Sequence, residues 1–356
     1  MCFSFNEVTE KHTQMKSIVL TIDYELFFGS DSGTVENCMI RPTRKLMQLL
    51  ERHGAKATVF WDVLHYYRLC EMTHVPELKI DKELIEAQID SLLRAGHDVQ
   101  LHIHPHWLDA KWDGFRWIFD YKRFRLQSLN ELDDAEDINT ILGCVTKGHQ
   151  LIETFCRTVI ADYKVIGFRA GAYAIEPFRP MKNALLANGI VYDSSVGNGM
   201  FNTNSILGYD FRSVPVQQHY RFSNTVMERD DHGAFLEFPI GTVHLSLIRK
   251  LYFALLRRMK YLNPGKYGDG RPLEDSPSGR SKTLANRLKP SYSQLTADNS
   301  FPEKWNYLVK KALANSVVII HPKNLSPFGI AMIEQSLNDK KVQFISLKDR
   351  LNEIGL

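Results

Sequence analysis

What most constrains this chain is a rhythm: short β-branched apolar runs alternate with helical segments, and polar residues gather where the runs end. SIVLTI (17–22) reads as a buried strand that ends at Asp23, Tyr24 and Glu25. Pro42 opens a helix whose Leu46, Leu49 and Leu50 keep helical spacing until Gly54 stops it. The pattern then repeats. Residues 57–60 read as a strand, 84–93 as a helix closed by Gly96, and 98–101 as a strand. Residues 139–160 read as a helix, 165–168 as a strand, and 181–187 as a helix stopped by Gly189. Short strands follow at 190–192, 316–320 and 343–345. Such alternation over 356 residues predicts a mostly parallel sheet, closed or partly closed into a barrel, with chemistry at the C-terminal strand ends.

The richest strand end is Leu101-His102-Ile103-His104-Pro105-His106-Trp107. Imidazole is the commonest protein ligand for zinc, and His102 and His106 are expected to face one divalent ion, with His104 pointing away. Composition narrows the rest. A net charge of +3 argues against nucleic acid as a main partner. Five scattered cysteines without a C-x-x-C pair argue against a disulfide framework or a cysteine zinc site, and for a reducing compartment. Residues 1–16 lack the basic start and apolar core of a secretory signal, and no long apolar run occurs. The expected location is the cytoplasm or its membrane face.

Five strand ends can be read together: Asp23 with Glu25; His102 with His106; Gly167-Phe168-Arg169-Ala170-Gly171-Ala172-Tyr173; Tyr192-Asp193-Ser194-Ser195; and Ile319-Ile320-His321-Pro322. Carboxylates, histidines and an arginine at strand ends make the toolkit of a metal hydrolase. Their order resembles the polysaccharide deacetylases, the NodB-homology carbohydrate esterases, and within them the branch associated with lipopolysaccharide and O-antigen biosynthesis. Three departures stand out. Tyr24 occupies a position usually held by a metal-binding aspartate, the His102–His106 motif lacks a Ser or Thr, and the fourth motif lacks its tryptophan.

The resemblance implies a distorted (β/α) barrel of about seven mostly parallel strands over residues 17–350. It also implies hydrolysis of an N-acyl, less often O-acyl, group from an amino sugar, with zinc the first choice of metal. Asp23 would be the base and Glu25 the third ligand beside His102 and His106; residues two apart on a strand share a face, so the reverse assignment stays open. His321 would be the general acid, oriented by Asp193. Arg169 would pair with Asp23, and the backbone N–H of Tyr173 would stabilise the oxyanion. The substrate would be nucleotide- or lipid-linked. The rival readings are a non-catalytic carbohydrate-binding relative and a hydrolase of a small non-sugar amide or N-formyl group.

Residues 245–302 break the rhythm and read as a basic insertion within that domain. Apolar 245–262 carries Arg249, Lys250, Arg257, Arg258 and Lys260; a Gly/Pro/Ser-rich stretch with Lys266, Arg271, Arg280, Lys282, Arg287 and Lys289 follows. Three readings stand: peripheral contact of 245–262 with an anionic membrane, binding of a sugar pyrophosphate, or a helix packed on the barrel with a solvated basic edge.

Overall fold

A computed structural model describes residues 15–203, 206–261, 265–273, 291–339 and 342–356. Along the chain run β1 (Lys16–Tyr24), β2 (Thr58–Asp62), β3 (Asp98–Ile103) and a hairpin of β4 (Lys111–Trp112) with β5 (Trp117–Ile118). Then come β6 (Gly167–Ala170), β7 (Tyr192–Asp193), a second small hairpin of β8 (Phe201–Asn202) and β9 (Tyr209–Asp210), β10 (Tyr220–Phe222) and β11 (Phe235–Glu237). The chain finishes with β12 (Thr242–Leu245), β13 (Ser291–Gln294), β14 (Val317–Ile320) and β15 (Val342–Ile345). The main sheet has the order β10-β11-β7-β6-β3-β2-β1-β14, and β15 also pairs with β1. All its pairings are parallel except β10 with β11.

The sheet curls until its two ends meet. Beyond β11 the chain reaches β14 through an Ile240–Val317 bridge and a 2.8 Å bond from Gly241 N–H to the Val317 carbonyl. Leu295, just past β13, accepts from Ile319 N–H and donates to the Gly241 carbonyl. The result is the expected distorted (β/α) barrel, with more strands than the motif pattern implies. Residues 291–295, which the sequence reading places in the insertion, take part in this closure.

Helices pack outside: α1 (Arg41–Arg52), α2 (Val63–Glu71), α3 (Pro76–Arg94), α4 (Ile141–Arg157), α5 (Arg179–Ala187), α6 (Leu247–Lys260), α7 (Pro302–Lys311), α8 (Pro327–Asn338) and α9 (Leu347–Glu353). Helices α2, α7, α8 and α9 and the strands β10 and β11 at one end of the sheet are absent from the sequence reading. Among the described residues no helix is long and apolar enough to cross a membrane.

Strand alternation sorts the side chains into two sets. Ile18, Leu20, Ile22 and Tyr24 of β1 join Val59, Trp61, Val99, Leu101, Phe168, Val318 and Ile320 in the layer between sheet and helices. The opposite parity gives Val19, Phe60, Tyr192, Leu236, Val317 and Ile345, a separate cluster that forms the floor inside the barrel. Each buried aliphatic side chain contributes about 1.5–3 kcal/mol, so a slip by one residue would forfeit both layers. The same inward parity runs on past the floor to Thr21 and Asp23 on β1, Asp62 on β2, His102 on β3, Arg169 on β6, and His321 after β14. All are buried except His321, which is largely so. The parity that builds the core thereby builds the site.

Candidate metal and acid–base site

Tyr24 points outward, donating to Gln88 Oε1 at 2.7 Å, while its neighbours Asp23 and Glu25 both line the pocket. Glu25 Oε2 lies 3.1 Å from His102 Nε2 and 2.7 Å from His104 Nε2. These three residues form a group whose ligand atoms all fall within 4.8 Å of one another. His106 is not among them. His104 keeps extended backbone (φ −119°, ψ 93°), so it continues the alternation of β3 and shares a face with His102. Pro105 then opens a 3₁₀ turn over Pro105–Asp109, its fixed φ suiting a first helical position. That turn swings His106 into an aromatic box, with its ring centroid 4.7 Å from Phe28 and 5.2 Å from both Phe119 and Phe124. Among the described residues neither His106 nitrogen meets a partner, and burial holds its pKa well below the usual histidine range. The place expected for His106 is taken by His104.

Close backbone approach makes room for this. A Cβ on Gly171 would lie 2.5 Å from His104 Nδ1 and 2.6 Å from the Ile103 carbonyl, so only glycine fits there. His102 Nδ1 meets the Arg169 carbonyl at 2.8 Å; as the donor, it leaves Nε2 free to ligate. Two imidazoles and a carboxylate are an ordinary zinc donor set, and neighbouring ligands on a tetrahedral zinc lie about 3.3 Å apart, so these residues fit a divalent ion. The electrostatics point the same way. Burial opposes charge on His102, yet the Glu25 hydrogen bond and the charges of Asp23 and Asp62 push its pKa up to about 9. Burial dominates at His104 and pulls it down to about 4. For Glu25, Lys323 and the histidines outweigh burial and hold the carboxyl well below its usual range. Lys323 Nζ sits 2.8 Å from Glu25 Oε1 and 2.6 Å from the Leu26 carbonyl, leaving Oε2 for the histidine side.

Asp23 is held from the other direction. Arg169 Nη1 donates to Asp23 Oδ1 at 2.5 Å and to Thr21 Oγ1 at 3.0 Å, while Nε and Nη2 bond the Ser194 carbonyl and hydroxyl. Its guanidinium lies 4.1 Å above the Phe60 ring, on the apolar floor. A buried guanidinium is tolerable only with its donors satisfied and its charge paired. The second oxygen, Asp23 Oδ2, faces His321 Nε2 at 3.6 Å. His321 Nδ1 bonds Asp298 Oδ2 at 2.6 Å, and its backbone N–H meets both Asp298 oxygens at 3.1 Å. Burial opposes the imidazolium, but Asp298 outweighs it and raises the His321 pKa.

The expected partner of His321, Asp193, lies elsewhere. It accepts from Ser195 N–H at 2.9 Å and Ser195 Oγ at 2.6 Å, and Ser195 Oγ in turn takes the Ala170 N–H at 2.8 Å. Asp193 thus braces β6 behind Arg169. Burial raises its pKa, and burial plus Asp193 raises that of the neighbouring Glu237 still further, as one proton between two buried carboxyls requires. Tyr173 lines the pocket with left-handed backbone (φ 62°) after Ala172 (φ 52°), a costly conformation for non-glycine residues and one that clusters at functional sites. Its hydroxyl accepts from Gln294 Nε2 at 3.0 Å. Phe27, Phe28, Phe124, Tyr209 and Leu273 complete the pocket wall.

Sequence reasoning missed three of these residues. His104 follows from strand parity, and Lys323 from its place two residues after His321. Asp298 has no local signal, since it reaches His321 only through the β12–β13 closure.

No family model matches the chain, and no curated protein matches it. Among solved structures it is similar to a protein assigned as a polysaccharide deacetylase from Mycobacterium smegmatis, at 15% identity, covering 95% of this chain and 89% of that one, with a TM-score of 0.46. It is also similar to a 4-alpha-glucanotransferase from Thermococcus litoralis at 12% identity, covering 95% of this chain and 40% of that one, with a TM-score of 0.49. A family 4 acetyl xylan esterase from Clostridium thermocellum, in complex with a cobalt ion, is similar at 10% identity over 96% and 93% of the two chains, with a TM-score of 0.34.

Proposed function

We propose that this protein is a metal-dependent deacetylase that hydrolyses the N-acyl group of an amino sugar. The observation that carries the reading is the meeting of Asp23, His321 and the Glu25–His102–His104 group in one aromatic-walled pocket at the strand ends. Glu25, His102 and His104 would hold a divalent ion, which when bound would supply Lewis-acid polarisation of the acyl carbonyl. The chain's own groups move the protons. Arg169 fixes Asp23 Oδ1, so Oδ2 is the oxygen that takes the proton of the attacking water. His321, held by Asp298, delivers a proton from Nε2 to the nitrogen of the breaking C–N bond, and its pKa raised by Asp298 keeps that proton in place. The Tyr173 N–H would stabilise the developing oxyanion. Aromatic walls suit the C–H faces of a sugar ring.

The resemblance of the motif order to the lipopolysaccharide and O-antigen branch supports a role in surface polysaccharide or lipopolysaccharide biosynthesis, and we propose the cytoplasmic side and a nucleotide- or lipid-linked sugar as its setting and substrate. The Lys323 ammonium on Glu25 favours a second reading, a sugar-binding protein without turnover. Zinc- or cobalt-loaded protein should be incubated with free, nucleotide-linked and lipid-linked N-acetyl amino sugars, and with N-acetyl and N-formyl amino acids. Acetate and free amine should appear in equal amounts from the sugars alone. Turnover of the amino acid derivatives alone would replace the sugar assignment, and sugar binding without acetate would establish the second reading.

A further inference from the structure

Helix α6 follows β12, whose partner β13 carries the Gln294 that holds Tyr173 at the pocket rim. One side of the helix is anchored. Phe253 is buried against Phe301 and Tyr307, and the Arg249 guanidinium lies 4.6 Å from the Tyr307 ring centroid. Another side is bare among the described residues. Ile248 (81% exposed), Leu251, Tyr252, Leu255 and Met259 (72%) stand in solvent at i, i+3, i+4, i+7 and i+11, one continuous stripe along the helix. Large apolar side chains aligned this way are an interaction surface rather than scattered exposure.

Charge identifies the partner. Between Leu247 and Lys260 there are five basic residues and no acidic one, and Arg257, Arg258 and Lys260 fill the last turns. A second copy docked across a two-fold axis would set these cations against their own images. A surface both apolar and anionic satisfies the stripe and the cations together, and a lipid interface containing anionic headgroups is such a surface. We infer that α6 seats the protein on an anionic membrane, with Ile248, Leu251, Tyr252, Leu255 and Met259 in the acyl boundary and the exposed Arg257 and Arg258 among the headgroups. The inference does not depend on the reaction proposed above.

The test is co-sedimentation of the full chain with phosphatidylcholine vesicles, with and without phosphatidylglycerol, at low and high salt. Two variants accompany it, Ile248→Ser/Leu255→Ser/Met259→Ser and Arg257→Glu/Arg258→Glu, each checked for an unchanged melting midpoint. Wild type should bind the anionic vesicles at least about tenfold more tightly than the neutral ones, and less so at high salt. Each variant should lose most of that binding. A Tyr252→Trp protein should show fluorescence quenching by brominated lipid. Failure of wild type to bind anionic vesicles would overturn the inference, as would binding unaffected by both variants. A wild-type dimer that the serine variant dissolves would assign the stripe to a second copy instead.

Discussion

Asp298→Asn removes one charge from beneath His321 and leaves the shape of the site intact. In the native pair the carboxylate accepts from His321 Nδ1 at 2.6 Å, and the two side chains are only 10% and 17% exposed. At that separation a unit charge is worth about 6 kcal/mol for an effective dielectric of about 20, before desolvation is set against it. Asparagine can still accept the His321 backbone N–H, but its amide would donate to Nδ1. The ring would then hold its proton on Nε2 as a neutral imidazole, a far weaker acid than imidazolium. A well-placed acid or base contributes about 10²–10⁴-fold, so kcat should fall by that factor, or about 3–5 kcal/mol in barrier. The assay is acetate release at saturating substrate, with bound metal quantified and the protonation of each His321 ring nitrogen read from its shift. The substitution should leave metal content and melting midpoint unchanged and strip the proton from Nδ1 while keeping that on Nε2. Asp193→Asn serves as the comparison, because Asp193 braces Ser195 and does not touch His321. A full loss of kcat in Asp193→Asn alongside near-native turnover in Asp298→Asn would refute the assignment.

The remaining predictions concern the metal and the buried charges. His104→Ala should abolish tight zinc binding in calorimetry. His106→Ala should keep it and instead cost about 2–5 kcal/mol of stability, as core truncations do; the opposite outcome would restore His106 as the ligand. Lys323→Met breaks a buried ion pair and should destabilise the metal-free protein by about 3–5 kcal/mol, with zinc recovering more melting temperature in the variant than in wild type. An equal zinc response in both proteins would mean that Lys323 and the metal do not share Glu25. Glu237 has a folded-state pKa raised above its unfolded value, so its stabilising contribution is complete below the ordinary carboxylate range and is lost as pH rises through the folded pKa. Glu237→Gln cannot ionise, so its melting midpoint relative to wild type should climb between acid and alkaline pH; a gap independent of pH would contradict the shared proton.

The parallel core was legible because β1, β2 and β14 carry near-continuous apolar runs, a pattern that doubly buried strands sustain, while β3 was read from its place between a helix stop and the histidines. Their polar ends were legible for the same reason: Asp23, Glu25, His102 and His321 line one pocket, with Arg169 behind Asp23. The His104 and His106 positions were misjudged because strand parity was not carried past Ile103, and because nothing local says where a proline-initiated turn aims the next side chain. The Asp298–His321 pair is a product of tertiary structure: 23 residues separate the two, and only the closure around Leu295 brings them together. Strands β10 and β11 were missed because three-residue strands carry too few alternations to read. Of the cations named for the sugar pyrophosphate reading, Arg280, Lys282, Arg287 and Lys289 lie outside the described residues.

The closure at Ile240–Val317 divides the barrel unequally. Across that seam run a bridge and a few backbone bonds, whereas β1 is zipped to β2 and β14 over four residue pairs each. A thermal opening should begin at the seam, where the fewest bonds must break together. Every group given a chemical role sits on or beside the unbroken ladder β14-β1-β2-β3-β6, except Asp298, which rides on the seam's own loop. Breathing there would admit or release a bulky ligand while acid, base and ligands kept their spacing, and it would momentarily unlatch only the carboxylate that poises His321. Amide exchange at Gly241 and Ile319 running ahead of that at Leu20 and Ile22 is the signature, and equal protection at all four would mean the barrel opens only as a whole.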